Sequence, residues 1–203
     1  MKRFSALLIS TLLFATQGMA ASVAESSAQI NPLSVGAAIP AATLSNLDGE
    51  PVTVTALADK PTIAVFYRGG WCPYCNRHLK ELQGIQQELL DMGYQIVGIS
   101  PDKAEGLKKT TEGEELKYQL LSDSKGDAAR AFGIAFNAAK EYASRGPRIV
   151  TMLENASGEK HHQLPVPAVF ILKNGKVAYS YVNADYRTRL SAEELIKAAK
   201  SSR

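Results

Sequence analysis

The chain of 203 residues is 45% hydrophobic and 21% charged, and it contains two cysteines. Its 23 basic and 20 acidic side chains give a net charge of +3, which argues against nucleic acid as a partner. The length and the hydrophobic content fit one domain with a full core, and the sequence shows no internal repeat or low-complexity tract.

Residues 1–20 have the order of a secretory signal peptide. Lys2 and Arg3 come first, an apolar stretch at 6–15 follows, and small residues surround Ala20. The apolar stretch is too short to span a bilayer, and no cysteine lies near the cleavage site to carry a lipid. We therefore expect cleavage after Ala20 and a periplasmic or secreted protein with a net charge of about +1 and no membrane anchor.

The stretch before the cysteines predicts a leader and three strands. Residues 21–38 are rich in Ala and Ser and are expected to form a flexible leader, so that the domain spans 39–203. Residues 39–44 and 52–55 predict two short strands joined by a tight turn. The apolar, β-branched run at 62–67 predicts a buried strand.

Both cysteines follow that strand directly, in the motif Cys72-Pro73-Tyr74-Cys75. Apolar residues then recur at helical spacing to about Met92, so Cys72 is expected at the start of a helix with Pro73 in its first turn. The free N–H groups and the positive dipole end of a helix favour a thiolate. We therefore expect a lowered pKa for Cys72 and redox chemistry at this motif.

The neighbours of the cysteines are candidate substrate-binding residues. Trp71 and Tyr74 are expected to shield the sulfurs, and Gly70 is expected to let the backbone of a partner approach closely.

A purely structural disulfide is not favoured by this spacing. Closing so short a loop stabilises the folded protein by only about 2 kcal/mol, against nearly 5 kcal/mol for a hundred-residue loop. A zinc site would need two more ligands, and the sequence offers only His78, His161 and His162. No metal and no cofactor are therefore expected.

The following segments predict a unit of alternating strands and helices. Residues 94–100 read as a strand, and Ser100 and Pro101 read as the N-cap and first residue of a helix. A further strand is predicted at 118–123 and a helix at 126–132. Short links between these elements indicate parallel strands.

Residues 133–164 give the weakest pattern. We expect a helix only over 138–143 and a polar loop over 154–160, and we expect the adjacent His161 and His162 to be solvated.

The C-terminal part is clearer. Residues 168–173 and 176–182 flank Asn174-Gly175 and predict a β-hairpin, and Ser191 with Glu194 predicts the capping box of a last helix.

Three stretches of the sequence resemble the thioredoxin fold, and more narrowly the family of alkyl hydroperoxide reductases and thiol-specific antioxidants. They are residues 66–75, 121–134 and 166–171, and the resemblance covers about 36–200. It implies an α/β domain with a central mixed sheet, flanking helices, and a C-terminal β-hairpin and helix. It further implies that Pro167 is cis and faces the cysteines, with Val166 beside it in the substrate site.

The sequence also departs from the pattern of that family. Its members resemble one another around a proline, a threonine three residues before the peroxidatic cysteine, and an arginine from a later strand. With Cys75 in the peroxidatic position, Cys72 replaces the threonine, Arg68 replaces the proline, and Pro167 falls near the arginine. Arg68 is then the candidate cation of the site. Thioredoxins bury an acid where this chain has Val65.

Two assignments of the cysteines follow. In a dithiol exchanger, Cys72 attacks and Cys75 resolves the mixed disulfide. In a peroxidase, Cys75 forms a sulfenic acid and Cys72 resolves it. Both schemes pass through a Cys72–Cys75 disulfide, and we favour Cys72 as nucleophile because the threonine and arginine are absent.

We expect an exported, peroxiredoxin-like thiol oxidoreductase that reduces peroxides or protein disulfides, with a protein thiol as reductant. Two alternatives stay open. One is a non-enzymatic binding module with a structural disulfide. The other is a glutathione-dependent, glutaredoxin-like reductase, because the four residues from Cys72 to Cys75 also resemble the glutaredoxin motif.

Overall fold

A computed structural model of the protein describes residues 22–202. The predicted signal peptide, residues 1–20, lies outside them. The strands are β1 Thr43–Ser45, β2 Pro51–Thr53, β3 Thr62–Phe66, β4 Gln95–Ser100, β5 Gln119–Ser122, β6 Ala135–Asn137, β7 Gln163–Pro165, β8 Ala168–Lys173 and β9 Lys176–Val182. The α-helices are α1 Val54–Leu57, α2 Pro73–Gly84, α3 Gln86–Asp91, α4 Ala104–Gly113, α5 Asp127–Ala131, α6 Ala138–Glu141, α7 Arg148–Ser157 and α8 Ala192–Ser201.

Seven strands form a mixed sheet in the order β2-β1-β5-β4-β3-β8-β9, and β6 pairs with β7 in a separate ribbon. Strands β3, β4 and β5 are parallel to one another, whereas β8 runs antiparallel to β3 and β9 antiparallel to β8. The predicted mixed sheet with a C-terminal hairpin and helix is thereby confirmed. None of the helices within residues 22–202 is both long and apolar enough to cross a membrane.

Strand β3 lies at the centre of this sheet, and all five of its residues are buried. Ile63 and Val65 belong to the core that α2 and α8 cover. Phe66 points to the other face, where its ring lies 4.9 Å from that of Phe132 and 5.9 Å from that of Phe170. Because helices cover both faces, the strand reads as a continuous apolar run without alternation.

Two helix boundaries differ from the predictions. The helix after the cysteines does not run unbroken to Met92, because Ile85 leaves helical geometry with φ −109° and ψ 5° and separates α2 from α3. Ser100 stays in β4 and does not cap α4, which begins at Ala104. Ser100 instead accepts a hydrogen bond from the Asp102 N–H at 3.3 Å, which closes a tight turn before the helix.

The segment predicted as a flexible leader is hydrogen-bonded to the domain over residues 22–38. Ala24 forms a bridge with Phe136, and the Asn31 N–H donates to the Gly133 carbonyl at 3.1 Å. Gly133 has φ +69°, and a Cβ placed on it would lie 1.9 Å from the Asn31 carbonyl oxygen. The segment therefore fits against a glycine that admits no side chain.

Helix α7 occupies much of the stretch whose sequence pattern was weakest, and the predicted polar loop at 154–160 begins inside it. The helix buries Ile149 and Leu153. The two adjacent histidines are half-buried and hydrogen-bonded. The His162 ring contacts the Glu154 carboxylate at 2.8 Å, and His161 Nε2 lies 2.6 Å from the Ser124 carbonyl oxygen.

The prediction that Pro167 is cis is wrong, because every peptide bond in the described part of the chain is trans. The chain continues extended from β7 into β8. The Val166 N–H donates to the Ile134 carbonyl at 2.8 Å, and the Pro167 carbonyl accepts from the Asn183 N–H at 3.2 Å. Backbone pairing on both sides of the proline thus suits an extended, trans link.

We predict that Gly133→Ala lowers the free energy of unfolding by about 3 kcal/mol, because the new methyl group meets a backbone oxygen in a left-handed conformation. Gly158→Ala is the matched control, since Gly158 has φ +78° but no atom within 4 Å of its Cβ position. It should cost about 1 kcal/mol. Urea unfolding of the reduced protein measures both values, and equal losses would show that the contact with Asn31 has no steric effect.

Candidate active site

The cysteines lie at the start of α2, after the short loop that follows β3. Cys72 is the N-cap of α2 and Pro73 its first residue, as predicted. Both cysteines are free thiols, with Cys72 2% and Cys75 0% exposed. The pair therefore lies beneath the surface, at the positive end of a helix dipole.

The two thiols influence each other's pKa in opposite directions. The Cys75 thiol donates a hydrogen bond to Cys72 and lowers the pKa of Cys72 to about 5, and Arg68 and Arg189 act in the same direction against the effect of burial. The same hydrogen bond, together with burial and the negative charge on Cys72, raises the pKa of Cys75. Cys72 therefore holds the negative charge at neutral pH, and Cys75 holds the proton.

Arg189 is a site residue that the sequence did not reveal. Its Nη2 donates to Cys75 Sγ at 3.3 Å across 114 residues of chain. It lies in the loop between β9 and α8, and the only sequence signal for it is the pair of arginines, Arg187 and Arg189, that flank Thr188 after Tyr186. The sequence has no arginine near Pro167, where the family resemblance would place one, but the guanidinium of Arg189 reaches Cys75 from this loop.

His78 helps to hold that loop in place. It lies one turn beyond Cys75 on α2, and its Nε2 donates to the Leu190 carbonyl at 3.1 Å. Burial and the adjacent Arg189 lower the pKa of His78 to about 4, so the ring is neutral at pH 7. Its role is to position Arg189, and it adds no charge near the sulfurs.

Arg68 lies in an aromatic cage. Its guanidinium carbon is 4.2 Å from the ring centre of Tyr186, 5.1 Å from that of Trp71 and 5.3 Å from that of Tyr142. The side chain is only 3% exposed, and these rings stabilise its charge without neutralising it. The predicted cation is thus present, and its backbone N–H also favours the charged form of Cys75.

Asp102 fixes the loop that leads to Cys72. Its carboxylate accepts from the Gly70 N–H at 2.7 Å and from the Ser100 hydroxyl at 3.2 Å, and burial raises its pKa to about 6. Gly70 was expected to leave room for a partner. It instead packs on α4, since a Cβ there would lie 1.9 Å from Thr110 Oγ1.

A groove of about 990 Å³ opens beside this loop, between α4 and α7. Trp71 and Asp102 line its inner end, and Lys109, Arg148 and Met152 line its walls. Trp71 therefore separates the groove from the caged guanidinium on its other side.

The remaining predicted residues lie at different distances from this centre. The half-buried Tyr74 packs edge-to-face on Tyr186 at 5.7 Å and so joins the wall of the cage. Val166 is fully buried in the cluster on which Trp71 packs, so it supports the site and offers no surface to a substrate. Among the described residues, no group of three His, Cys, Asp or Glu side chains is placed to hold a metal ion.

Comparison with known proteins identifies the family of the chain. The model of the AhpC/TSA family matches residues 35–180. A putative peroxiredoxin bcp from Haemophilus influenzae is 32% identical over 149 residues, which cover 66% of this chain and 95% of that protein. Peroxiredoxin Bcp from Escherichia coli K12 is 33% identical over 105 residues, which cover 52% of this chain and 67% of that one.

Solved structures show the same fold. Peroxidoxin BcpB from Mycobacterium tuberculosis matches with a TM-score of 0.63 at 20% identity, over 84% of this chain and 99% of the other. Reduced Prx3 from Vibrio vulnificus in complex with H₂O₂ matches with a TM-score of 0.67 at 22% identity, over 82% and 99% of the two chains. The chain therefore belongs to the AhpC/TSA family and is a peroxiredoxin-like thiol peroxidase of the thioredoxin fold.

Proposed function

We propose that the protein reduces peroxides with the Cys72–Cys75 dithiol, which cycles through an intramolecular disulfide. The observation that carries the proposal is the environment of Cys72, which is held as a thiolate by a hydrogen bond from the Cys75 thiol, by the buried guanidinium of Arg68 and by the half-buried guanidinium of Arg189. A thiolate is the form of cysteine that attacks peroxides, and its partner thiol is already in contact with it.

The chemistry begins with attack of the Cys72 thiolate on the terminal oxygen of a hydroperoxide. An S–O bond forms, the O–O bond breaks, and the alkoxide leaves as an alcohol after it takes a proton from solvent. Cys75 then attacks the sulfenic acid sulfur of Cys72, and water leaves as the disulfide forms. The dithiol loses two electrons and the peroxide gains them, so an external thiol must restore the dithiol.

Several groups of the site suit these steps. The partial charge of the α2 N-terminus and the guanidinium of Arg68 stabilise the Cys72 thiolate. Arg189, 3.3 Å from Cys75 Sγ, favours the Cys75 thiolate that resolves the sulfenic acid. Asp102 and His78 hold the two loops that carry these groups.

A second assignment exchanges the roles of the cysteines. The contact between Arg189 and Cys75 favours it, because a cation beside the attacking sulfur also polarises a bound peroxide. Cys75 stands in the peroxidatic position of the resemblance, so Arg189 fills the place of the missing arginine. In this order Cys75 forms the sulfenic acid and Cys72 resolves it.

Single-cysteine variants distinguish the two assignments. We predict that Cys75→Ser keeps rapid oxidation by hydrogen peroxide and accumulates a sulfenic acid on Cys72, whereas Cys72→Ser is slowed roughly 100-fold, because the remaining thiol is protonated. Fluorescence of Trp71 reports the rate, and mass spectrometry locates the added oxygen. The opposite pattern would assign the attack to Cys75. Parent oxidation no faster than a free thiol would leave disulfide exchange led by Cys72.

The pH dependence gives a further test. Because the pKa of Cys72 is lowered to about 5, the thiolate is present above that pH and is lost below it. We predict an alkylation rate with iodoacetamide that is flat from pH 7 to 9 and falls about tenfold per unit below pH 5. In Arg189→Gln the midpoint pH of the alkylation rate should rise, because a positive charge near Cys72 is lost. In Arg189→Lys this midpoint should stay close to the parent value. A midpoint near 8 in the parent would exclude a stabilised thiolate.

We also propose that residues 1–20 direct export and are removed. Support comes from the charge, the apolar stretch and the small residues at their end. The full chain should yield a periplasmic protein beginning at Ala21 in mass spectrometry. Lys2→Glu with Arg3→Glu should reduce export, and recovery of unprocessed protein from the cytosol of the parent strain would count against the proposal.

A further inference from the structure

Five arginines surround the cysteines, and we call them the arginine collar: Arg68, Arg77, Arg145, Arg187 and Arg189. Four of them lie over aromatic rings of the site. Besides Arg68 in its cage, Arg77 is 5.7 Å from the ring centre of Tyr74, Arg145 is 4.5 Å from that of Tyr142, and Arg187 is 5.0 Å from that of Tyr186. The fifth, Arg189, contacts Cys75.

No member of the arginine collar forms a salt bridge with a carboxylate in residues 22–202, and the only arginine there that does so is Arg130, with Asp127. The acid nearest in sequence to a collar arginine is Asp185, and its carboxylate forms hydrogen bonds within its own loop. Its carboxylate accepts from the Arg187 N–H at 3.0 Å and from the Thr188 hydroxyl at 3.3 Å. The collar is thus a concentration of positive charge in a chain whose net charge is only +3.

The collar has a buried and an exposed part. Arg68 is enclosed, whereas Arg77, Arg145 and Arg187 are exposed at the rim. Cation–π contacts hold these guanidinium groups in place and leave their charge available to a ligand. The exposed arginines therefore give this part of the surface a positive charge that attracts anions.

The shape of the site favours a small ligand. Both sulfurs are almost fully buried, with Trp71 beside Cys72 and Tyr74 between the two cysteines in sequence, so a cysteine on a protein surface has little access.

We propose that the reductant of the disulfide is a small thiol that carries carboxylates, and that the exposed members of the arginine collar bind those carboxylates. This identity of the electron donor rests on the proposed dithiol cycle and extends it. Guanidinium groups bind carboxylates through charge-assisted hydrogen bonds, and they also raise the local concentration of the anionic thiolate.

The reduction consumes two molecules of the thiol. The first attacks Cys72 as a thiolate, a mixed disulfide forms, and Cys75 leaves as a thiolate beside Arg189. The second attacks the sulfur of the bound thiol, a small disulfide forms, and Cys72 leaves as a thiolate. The two protons of the small thiols return to Cys75 and to solvent, and the protein gains two electrons.

The test compares small thiols of different charge. The full protein is oxidised with hydrogen peroxide, and mass spectrometry verifies the loss of two hydrogens. Mercaptosuccinate, 2-mercaptoethanol and cysteamine then reduce it at low salt, and each rate is divided by the thiolate concentration. We expect the dianionic mercaptosuccinate to react roughly tenfold faster than 2-mercaptoethanol, and the cationic cysteamine to react more slowly.

Matched variants locate the charge. Arg77→Gln with Arg187→Gln should abolish the advantage of mercaptosuccinate and leave the rate with 2-mercaptoethanol unchanged, because the cations that lower the pKa of Cys72 are Arg68 and Arg189. Lys60→Gln removes a positive charge at the opposite end of β3 and should keep the advantage.

Equal rates for the three thiols, or an advantage that survives in the double variant, would overturn the proposal. A third result would also overturn it: a thioredoxin reduces the parent but not the double variant, and mercaptosuccinate shows no advantage. The arginine collar would then bind an acidic protein and not a small thiol. Failure of hydrogen peroxide to produce the disulfide would instead refute the dithiol cycle itself.

Discussion

The complete burial of β3 is the constraint on which the site depends. Helices cover both faces of this strand, and β4 and β8 pair with its two edges, so it cannot shift in any direction without breaking packing or hydrogen bonds. Arg68 follows two residues after the last residue of the strand, Phe66, and Cys72 follows six residues after it. The positions of the sulfurs and of the caged guanidinium are therefore fixed by the core.

Two other ionisable side chains near the cysteines, His78 and Asp102, do little to change the effect of the arginines on the sulfurs. His78 is neutral because it is buried beside Arg189, so it can donate to a carbonyl without competing with the arginine for the thiolate. Asp102 is ionised at neutral pH, because burial raises its pKa only to about 6, but its carboxylate accepts hydrogen bonds from the Gly70 N–H and the Ser100 hydroxyl in the loops beside the site. The positive charges consequently act on the sulfurs with little compensation.

Local sequence patterns predicted much of the frame and less of the site. The apolar run of β3, the proline after Cys72 and the Asn174-Gly175 turn each specify a local structure, and these elements lie where they were expected. Arg189 could not be found in this way, because its contact with Cys75 joins residues 114 apart. Helix α7 was not predicted because no capping side chain marks its start, although Ile149, Val150, Met152 and Leu153 recur at helical spacing.

The position of the two cysteines on one turn of α2 has a consequence for the cost of turnover. The Cys75 N–H donates to the Cys72 carbonyl at 2.9 Å, and the thiol of Cys75 is close enough to lower the pKa of Cys72. A disulfide between them can close without unwinding the helix, in contrast to a pair of cysteines brought together by local unfolding. Mutations that rigidify this domain should therefore be compatible with rapid oxidation and reduction of the two cysteines. An increase in thermal stability need not lower the rate of turnover.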